Sequence, residues 1–499
     1  MQRIADCISE WVASSPDQPA ISDDHYHWTY TELDLHIRQA VQYLRSLGVG
    51  PGDRVVLIGE NSATLAALIL ATGCLDAWAV LENARRAAME VDAVCKHAHP
   101  RVIIHVVDNS PAAREHAQRN HAVSTETPFG LVAASPVDPT SQPEPVHLSG
   151  ADQVGVLIYT TGTTGVPKGV MITHANLLHI GRQMQQERRL TPDDRVYGVL
   201  PITHVMGLAS GLLGTLSSGA RIKMVARFDR ERCIQSLRED GITILQGAPA
   251  MFARLAQGCA PMKSPGPGLR VIAAGGAPLD AGIKKKVEAV FGMTLHNGYG
   301  LTEGSGVCWT RLDDDNQDCS VGPPNPGMEL RICDKAGKPV APGEVGELWI
   351  RGPCIMKGYY KMPELTREVL APGGWFNSQD LAWQAPDGRI HIHGRSKELI
   401  IRSGFNVSPL EVETALNTHE LVQYSAVLGH TKDGNEQIIA VIEPKANATL
   451  CETELKAYLA DRLSPYKRPS RIIFMDNLPV APNGKVLKQQ LMQKIGEIL

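Results

Sequence analysis

The sequence has little of what marks secreted, membrane-spanning or nucleic-acid-binding proteins. Its ten cysteines are scattered without a Cys-x-x-Cys pair, which argues for a reducing compartment rather than a disulfide framework or a zinc site. No run reaches about 18 apolar residues, so no spanning helix is predicted, and the first residues show no secretory signal. With 49 basic against 53 acidic side chains the net charge is −4, which leaves no basic surface for nucleic acid. We expect a cytoplasmic protein.

The 499 residues exceed what a single hydrophobic core organises, so two or three domains are expected. Apolar positions recur at helical spacing through Leu33, Ile37 and Leu44, and Val55–Ile58 follows as a strand. Helical and strand-like runs then keep alternating to about Phe291. This alternation predicts an α/β fold with a parallel sheet covered on both faces.

Two segments depart from this alternation. Residues 108–150 are dominated by Pro, Ser, Ala and His with little periodicity, so mainly irregular surface chain is expected there. From Cys319 to His393, short apolar runs alternate with Pro/Gly turns, which predicts an antiparallel β unit.

After Gly394 the pattern changes to that of a compact α+β unit. Its first helix is predicted by Ser408-Pro409-Leu410-Glu411, a capping box with proline at the first helical position. We therefore predict two domains, residues 1–394 and 395–499, with the boundary at Gly394–Lys397.

The stretch Tyr159–Gly169 reads Tyr-Thr-Thr-Gly-Thr-Thr-Gly-Val-Pro-Lys-Gly and follows a predicted buried strand, Val154–Ile158. A helix is expected from about Thr173. Glycine lets backbone N–H groups close on an anion, threonine adds hydroxyl donors and lysine adds a positive charge, so the loop suits phosphate binding. It is not a Walker loop, because Lys168 stands between proline and glycine. On its own the loop fits a surface turn equally well.

Other polar segments carry side chains suited to nucleotide chemistry. Thr302 and Glu303 end the segment Asn297–Glu303, where the glutamate offers a hard oxygen ligand for Mg²⁺. Asp380 ends Trp375–Asp380 and suits a sugar diol. The remaining segments are Gly275–Pro278, which follows a predicted strand, Gly394–Lys397, and Pro482–Lys485, a turn presenting a lysine. Each one alone is also explained as a turn or a solvated face.

In order and spacing, these segments resemble those of the adenylate-forming superfamily, in its acyl- and aryl-CoA ligase branch. The resemblance extends from about Trp28 to Gln490. It implies a large N-terminal domain of two doubly wound α/β lobes plus a β-barrel, followed by a small mobile α+β C-terminal domain. It also implies that a carboxylic acid is activated with ATP to an acyl-adenylate and pyrophosphate, and that the acyl group then passes to a thiol.

The resemblance assigns the nucleotide to several of these segments. Thr302 would contact the α-phosphate and Glu303 the Mg²⁺, and Asp380 with Arg395 would hold the ribose hydroxyls. The loop would hold the β- and γ-phosphates through Thr160, Thr161, Gly162, Thr163, Thr164, Gly165 and Lys168. The residues that would line the sites of the adenine and the acyl group are Gly276, Ala277, Pro278, Asn297, Gly298 and Tyr299.

The resemblance also implies a moving part. Lys485 matches the lysine that bridges carboxylate and α-phosphate during adenylation, and Lys397 matches the hinge. After rotation of the small domain, the segment containing Ser403 and Gly404 would face the site and leave room for a thiol arm.

The segment Pro201–Gly207 bears on which acid is activated. His204 matches the family's aromatic gate beside the acyl pocket, with a purely structural histidine as the alternative. Val205 stands where amino-acid-activating relatives place an aspartate, and a buried ammonium without that partner would be costly. We therefore expect an aromatic or medium-chain acid. A pocket that is not tightly filled is suggested by the glycines Gly207, Gly275, Gly276, Gly300 and Gly306.

Free CoA is the expected acceptor, because no carrier domain follows the small domain in the sequence. A stand-alone enzyme that loads a carrier-protein phosphopantetheine thiol is the alternative, and Arg85 and Arg86 are candidates for the CoA phosphates. A non-catalytic ATP-binding protein is disfavoured by the presence of Lys485, Glu303 and Asp380. The expected partners are the acid, ATP with Mg²⁺, and CoA, bound by a monomer or homodimer.

Two departures from the family's pattern limit what the resemblance implies. The segment Val80–Asn83 lacks the proline that is common before the asparagine. Gln379 stands where glycine usually precedes the ribose-binding aspartate. Because glycine adopts backbone angles that glutamine resists, a shifted backbone at Asp380 is expected.

Overall fold

The protein is described from a computed structural model, which covers residues 3–161, 167–257, 266, 268–314, 318–402, 405–432, 435–446, 448–481 and 484–496. The strands are β1 Pro19–Ser22, β2 His27–Thr29, β3 Arg54–Gly59, β4 Trp78–Asn83, β5 Val102–Val106, β6 Val123–Thr127, β7 Gly130–Ala134, β8 Val154–Thr161, β9 Pro167–Thr173, β10 Arg195–Gly198, β11 Arg221–Met224, β12 Ile244–Gly247, β13 Val271–Ala274, β14 Leu295–Leu301, β15 Gly304–Trp309, β16 Glu329–Cys333, β17 Gly346–Arg351, β18 Gly358–Tyr359, β19 Leu370–Ala371, β20 Trp375–Gln384, β21 Ile390–Arg395, β22 Ile400–Arg402, β23 Phe405–Val407, β24 Val422–Lys432, β25 Asn435–Pro444 and β26 Arg471–Phe474. The helices are α1 Ser9–Ser14, α2 Tyr30–Ser46, α3 Ala63–Cys74, α4 Ala88–Ala98, α5 Pro111–Arg119, α6 His174–Glu187, α7 Gly214–Ser217, α8 Arg230–Glu239, α9 Pro249–Ala256, α10 Ala281–Phe291, α11 Pro363–Val369, α12 Pro409–Asn417, α13 Glu452–Ala460 and α14 Lys488–Gly496. Met206–Leu213 is a π-helical segment, and short 3-10 turns cover Ile4–Ile8, Gly150–Asp152, Ser396–Glu398 and Pro465–Lys467.

Two eight-stranded sheets form the body of the protein. The first has the order β18-β9-β8-β4-β3-β5-β7-β6 and is parallel from β8 to β5. The second has the order β15-β14-β13-β12-β10-β11-β1-β2 and is parallel from β14 to β1. Every residue of β3 and β4 is buried, as expected of parallel strands covered on both faces. The predicted α/β class is therefore confirmed.

Helix α2 follows from its sequence. The Thr29 hydroxyl accepts a hydrogen bond from the Glu32 backbone N–H, and the Glu32 carboxylate accepts one from the Thr29 N–H at 2.8 Å. Leu33, Ile37 and Leu44 are buried on one face of this helix. The predicted apolar stripe is confirmed.

The expectation for residues 108–150 is wrong in part, because α5, β6 and β7 lie there. The Ser110 hydroxyl accepts from the Ala113 N–H, and Pro111 occupies the first helical position of α5. Strand β7 pairs with β5 in the first sheet, with Val132 buried. Because α5 buries mainly alanines and β7 is short, hydrophobic periodicity did not reveal either element.

Strand β9 was not predicted either. The loop was expected between a strand and a helix, but the described residues on either side of it form an antiparallel pair, β8 and β9, with Val154 opposite Thr173 and Thr160 opposite Lys168. Helix α6 begins directly after β9, where the Thr173 hydroxyl accepts from the Asn176 N–H at 3.1 Å. The predicted helix start is thus correct, but a β-strand separates it from the loop.

The remaining sheets are smaller. A five-stranded antiparallel sheet has the order β16-β17-β20-β19, with β21 pairing to β20. Beyond it, β24-β25-β26 form a sheet with apolar clusters on both faces, one containing Ile438 and Leu455 and the other Ile439 and Leu491. The buried residues of these two clusters all lie between 400 and 495. They form clusters separate from the cores of the two large sheets.

Helix α12 begins at Pro409 as predicted, but Ser408 does not close a capping box. Its hydroxyl donates a hydrogen bond to the backbone carbonyl of His393 at 2.6 Å. The Glu411 carboxylate instead pairs with Lys467 at 2.5 Å. Ser408 therefore ties the start of α12 to β21, a long-range contact that a local capping pattern does not reveal.

Candidate active site

The predicted phosphate loop lies at the carboxyl end of β8, next to the other parallel strands of the first sheet. This edge is where ligands bind in open α/β sheets. Thr160 is paired with Lys168 across the hairpin, and the Lys168 Nζ lies 5.5 Å from the centre of the Tyr359 ring. Gly162, Thr163, Thr164 and Gly165 lie outside the described residues, as does the side chain of Thr161.

Thr302 and Glu303 lie in the tight turn between β14 and β15. The Tyr359 hydroxyl donates to Glu303 Oε1 at 2.9 Å, and the same tyrosine ring lies beneath Lys168. Thr302 is buried. The structure therefore brings the loop lysine and the predicted metal-binding glutamate together through Tyr359.

The predicted ribose-binding pair is also assembled. Asp380 on β20 lies opposite Arg395 on β21, and Arg395 Nε is 3.1 Å from Asp380 Oδ1. The Tyr299 hydroxyl donates to Asp380 Oδ2 at 2.5 Å. Burial raises the pKa of Tyr299 well above 10, with the negative charge of Asp380 adding to the shift, so the hydroxyl keeps the proton it donates. Burial also raises the pKa of Asp380, and Arg395 partly opposes this.

Gln379 adopts the backbone conformation that glycine would have. Its φ is +60°, and the Asp380 N–H still donates to the Ser378 hydroxyl at 3.1 Å. The Gln379 N–H donates to Asn377 Oδ1 and its carbonyl accepts from Ser396 Oγ, which hold the residue in place. The premise of the expected shift is therefore wrong: glutamine accepts the left-handed conformation here and stores strain.

The segment Gly276, Ala277 and Pro278 follows β13, and Asn297–Tyr299 lies in the adjacent strand β14. Asn297 is buried, and its side-chain N–H groups donate to the Cys319 carbonyl at 3.2 Å. This residue thus fixes the chain beside the cleft. Both segments lie at the carboxyl edge of the second sheet, on the same side as the cavity.

A cavity of about 510 Å³, counting its open mouth, lies between the second sheet and the π-helical segment. Among the predicted residues His204, Gly276, Gly298 and Tyr299 line it. The pKa of His204 is lowered to about 4 by burial and by the positive charge of Lys485, so the imidazole is neutral at physiological pH. The described residues that line the cavity include no aspartate or glutamate.

The glycines around the cavity also give room to its larger wall residues. A Cβ on Gly275 would come within 2.7 Å of the Met206 methyl group, and one on Gly298 within 2.4 Å of the Trp309 ring. The side chains of Met206 and Trp309 occupy this room. The glycines therefore let larger neighbours form the cavity walls.

Lys485 lies on the C-terminal side of the cleft. Its backbone carbonyl accepts from the Ala481 N–H at 2.7 Å, closing a turn against the second lobe. Although its side chain still reaches solvent, burial lowers the pKa of Lys485, and the charge of Arg395 adds to this. Lys485 thus lies near enough to Arg395 and to His204 for the charges to act on one another.

Two further predictions concern the hinge with its neighbouring thiol-arm segment, and the arginines proposed for the CoA phosphates. Lys397 is exposed in the 3-10 turn that connects β21 to β22, while Ser403 and Gly404 lie outside the described residues. The CoA-phosphate candidates both contact acidic groups: Arg86 Nη1 is 2.6 Å from Glu82 Oε2, and Arg85 Nε is 3.4 Å from Glu60 Oε1.

Neither a clustered metal site nor a membrane span is found in the described parts of the chain. No group of three or more His, Cys, Asp and Glu side chains in those ranges could hold a metal ion. The described helices include none that is long and apolar enough to cross a membrane.

Comparison with known proteins decides the family. Residues 8–360 match the AMP-binding enzyme family, and residues 411–485 match the AMP-binding enzyme C-terminal domain. The chain belongs to the AMP-binding enzymes. Feruloyl-CoA synthase from an Amycolatopsis species is 32% identical over 489 residues, which cover 97% of each chain.

Solved structures agree with this family. The ATP-bound structure of MatB from Rhodopseudomonas palustris has a TM-score of 0.86 and 29% identity, covering 100% of both chains. A benzoate CoA ligase from Burkholderia xenovorans LB400 has a TM-score of 0.85 and 26% identity, covering 98% of this chain and 100% of that one. These matches confirm the predicted superfamily, its CoA ligase branch and the fold class.

Several residues of this AMP-binding enzyme's cleft were not predicted from the sequence. Tyr359 falls within the segment predicted as an antiparallel β unit, and Arg188 was not singled out at all. Neither carries a local signal, because both reach the cleft only through the packing of distant elements. Other polar or aromatic cavity residues that were missed are Ser210, Gln246, Ser305 and Trp309.

Proposed function

We propose that this enzyme joins an aromatic or medium-chain carboxylic acid to CoA in two steps within one cleft. In the first step a carboxylate oxygen attacks the α-phosphorus of ATP, forming the acyl-adenylate as the bond to pyrophosphate breaks. In the second step the CoA sulfur attacks the acyl carbon, and AMP leaves. The first step is needed because a carboxylate is a poor electrophile, whereas AMP is a good leaving group.

The position of Lys485 carries this proposal. Its ammonium acts electrostatically on His204 in the acyl cavity and is itself influenced by Arg395 and Asp380. A charge held between the acid and the nucleotide is suited to stabilise the negative charge that builds up as carboxylate and α-phosphate meet. Lys485 is accordingly assigned to the adenylation step.

The nucleotide is assigned to the polar edge of the two sheets. Asp380 and Arg395 would hold the ribose hydroxyls, with Tyr299 orienting Asp380 through its hydroxyl. Lys168 and the threonines of its loop would bind the β- and γ-phosphates, and Thr302 the α-phosphate. The adenine would lie between Gly276–Pro278 and Asn297–Tyr299.

Glu303 fits a magnesium ion that arrives with the nucleotide. Magnesium in nucleotide enzymes is bound by one or two carboxylates together with substrate phosphates, so a cluster of several acidic residues is not required. The Tyr359 hydroxyl donates to one oxygen of Glu303 and leaves the other available. When bound there, the ion would neutralise phosphate charge next to Lys168.

The cavity supports an acid without an amino group. Its described lining offers no carboxylate to an ammonium group, and it contains a cationic side chain, Arg188. An α-amino acid would thus meet repulsion and lack a partner. The relatives named feruloyl-CoA synthase and benzoate CoA ligase support an aromatic acid within this range.

Free CoA is the assigned acceptor, since these relatives are named for CoA. Loading of a carrier protein is the alternative. Residues 395–499 are assigned as the mobile domain, with the hinge at Lys397, because the buried clusters of this part are separate from those of the large lobes. The proposed use of ATP and CoA, together with ten cysteines in no disulfide-like spacing, supports a cytoplasmic location. A monomer or homodimer is the assigned state.

Acid-dependent exchange of labelled pyrophosphate into ATP tests the first step across a panel of aromatic, medium-chain and amino acids. We expect exchange with aromatic or medium-chain acids and background exchange with amino acids. Addition of CoA to the best acid should then give a thioester and AMP in equal amounts. Exchange without a CoA thioester, but with acylation of a phosphopantetheine carrier, would select the alternative.

A further inference from the structure

Arg188 is a buried charge in the wall of the acyl cavity. It follows the last residue of α6, and only 1% of its surface is exposed. Its guanidinium lies 5.8 Å from the centre of the Trp309 ring, which also lines the cavity. A charged side chain in such a place must be stabilised by partners, because removal of a charge from water is costly.

The protein supplies Arg188 with few partners. Its Nη1 donates to the Thr310 carbonyl at 2.9 Å, whereas its Nε is buried without a hydrogen-bond partner. Among the described residues no carboxylate lies within 4.0 Å of its nitrogens. The neighbouring Glu187 pairs with Arg311 instead.

Arg54 shows what a structural buried arginine looks like in the same protein. It is as deeply buried as Arg188, with 2% of its surface exposed. Its guanidinium donates to five acceptors, which are the carbonyls of Gly52, Ala98, His99 and Gln142 and the hydroxyl of Ser141. Arg188 has one such acceptor, so packing alone does not explain its position.

A second residue of the cavity lining has a hydrogen-bond acceptor without a donor. Gln246 lines the cavity, and the Oε1 atom of this side chain is buried without a partner. Its Nε2 makes only a long contact with the Met184 sulfur at 3.7 Å. Buried polar groups are nearly always hydrogen-bonded in folded proteins, so two residues that line one cavity and carry an unmet donor and an unmet acceptor point to a ligand with both functions.

We propose that Arg188 and Gln246 recognise an oxygen substituent on the ring of an aromatic acid, at the end remote from the reacting carboxylate. A phenolic oxygen would accept a hydrogen bond from Arg188, and the phenolic hydrogen would be donated to Gln246 Oε1. The apolar walls around them suit a ring: Val205, Met206 and Trp309 lie there. This inference rests on the proposed acid activation and names the class of acid.

A hydroxyl group fits this pair better than a second carboxylate does. A carboxylate offers no hydrogen to Gln246 Oε1 and would place another full charge among apolar side chains. A hydroxyl supplies one acceptor and one donor, which matches the two unmet groups. A dicarboxylic acid is therefore a competing outcome that the experiment separates.

The test compares matched acids that differ by one hydroxyl, 4-hydroxybenzoate against benzoate and 4-hydroxycinnamate against cinnamate. The readout is the ratio of kcat/KM values in pyrophosphate exchange. The wild-type enzyme should favour the hydroxylated acid of a pair by at least about tenfold, because unmet buried groups disfavour the acid that lacks the hydroxyl. Arg188→Met should reduce this preference by about tenfold or more.

Arg189→Met is the matched control, because Arg189 is the next residue but is exposed and pairs with Asp313. The preference of Arg189→Met for the hydroxylated acid should equal that of the wild type. Gln246→Leu provides a second test through the acceptor and should reduce the preference in the same direction if Arg188→Met does not fold. Melting temperatures of all variants distinguish lost folding from changed specificity.

The outcomes separate the two proposals. Absence of exchange with every acid would reject the proposed function itself. Exchange with an equal hydroxyl preference in the wild type, Arg188→Met and Gln246→Leu would reject the role of this pair. A preference for succinate or malonate that Arg188→Met removes would reject the ring hydroxyl in favour of a second carboxylate.

Discussion

Gly484 lies directly against Ala248, so that the turn carrying Lys485 contacts the start of α9 in the second lobe. A Cβ on Gly484 would come within 2.4 Å of the Ala248 Cβ, closer than side chains approach. The φ of Gly484 is +82°, which other residues rarely adopt. Glycine at this position is therefore what allows the turn to approach the cleft.

Gly484→Ala should slow adenylation selectively. The added methyl group would push the turn away from Ala248 and displace Lys485, and a misplacement of about 1 Å can cost roughly 100-fold in rate. Pyrophosphate exchange should fall, while conversion of a supplied acyl-adenylate to the thioester should continue. Gly337→Ala is the control, because Gly337 has a similar φ of +79° but nothing within 4 Å of its Cβ position; a similar loss in both variants would contradict the contact argument.

Lys485→Ala should lower the adenylation rate by about 10²- to 10³-fold, the scale of a lost preorganised charge. The reaction of a supplied acyl-adenylate with CoA should be retained, because that step does not need the ammonium between carboxylate and phosphate. Single-turnover measurements of each half-reaction check this. Lys494→Ala, in the same domain on α14, should leave both rates unaltered, and equal damage to the two half-reactions by Lys485→Ala would refute the assignment.

Gln379→Gly should stabilise the protein. It would relieve the left-handed strain at φ +60°, which costs about 1–2 kcal/mol, and would lose part of this gain to the greater freedom of glycine in the unfolded chain. We expect a net increase of about 0.5–1 kcal/mol in the free energy of unfolding, measured by urea denaturation. Gln379→Ala keeps the strained backbone and should give no such increase; stabilisation by alanine equal to that by glycine would mean that strain is not the cause.

Asn417→Asp should weaken the contact between α12 and the second lobe in a pH-dependent way. The Asn417 side chain donates to the buried Asp280 carboxylate at 3.0 Å, and burial raises the pKa of Asp280 to about 6. A second carboxylate would repel Asp280 whenever both groups are ionised, and this repulsion raises the pKa of the pair above that value. When the pair binds a proton at lower pH the repulsion is lost, and the contact between α12 and the second lobe, here called the closed arrangement, is regained.

The pyrophosphate-exchange rate of Asn417→Asp, relative to the wild type, should therefore rise as the pH falls, over a range above that of Asp280 in the wild type, because the added carboxylate raises the pKa of the pair. Energy transfer between dyes on the two domains would report the closed arrangement directly. Asn417→Ala removes the bond without adding a charge, so its relative rate should vary little over the same range. A pH-independent defect in the aspartate variant would argue against Asp280 as the titrating group.

How far the sequence predicted the site depends on how local each signal is. Lys168, Glu303 and Asp380 each follow a recognisable run of residues, and the structure places all three around the cleft. Gln379 was recognised as unusual, but its backbone angle was not predicted, because surrounding hydrogen bonds hold it in place. Ser408 was misjudged for the same reason, since its partner, His393, lies on another element.

The sequence by itself determined the alternation of strands and helices, the order of the polar segments and hence the family, because these are properties of neighbouring residues. Only the tertiary structure decided that Arg188 is left with one acceptor in a cavity wall, that Tyr359 joins Lys168 to Glu303, and that Gly484 meets Ala248. Each of these depends on chain segments that are far apart in sequence. Their approach is set by the packing of whole elements, which no local pattern encodes.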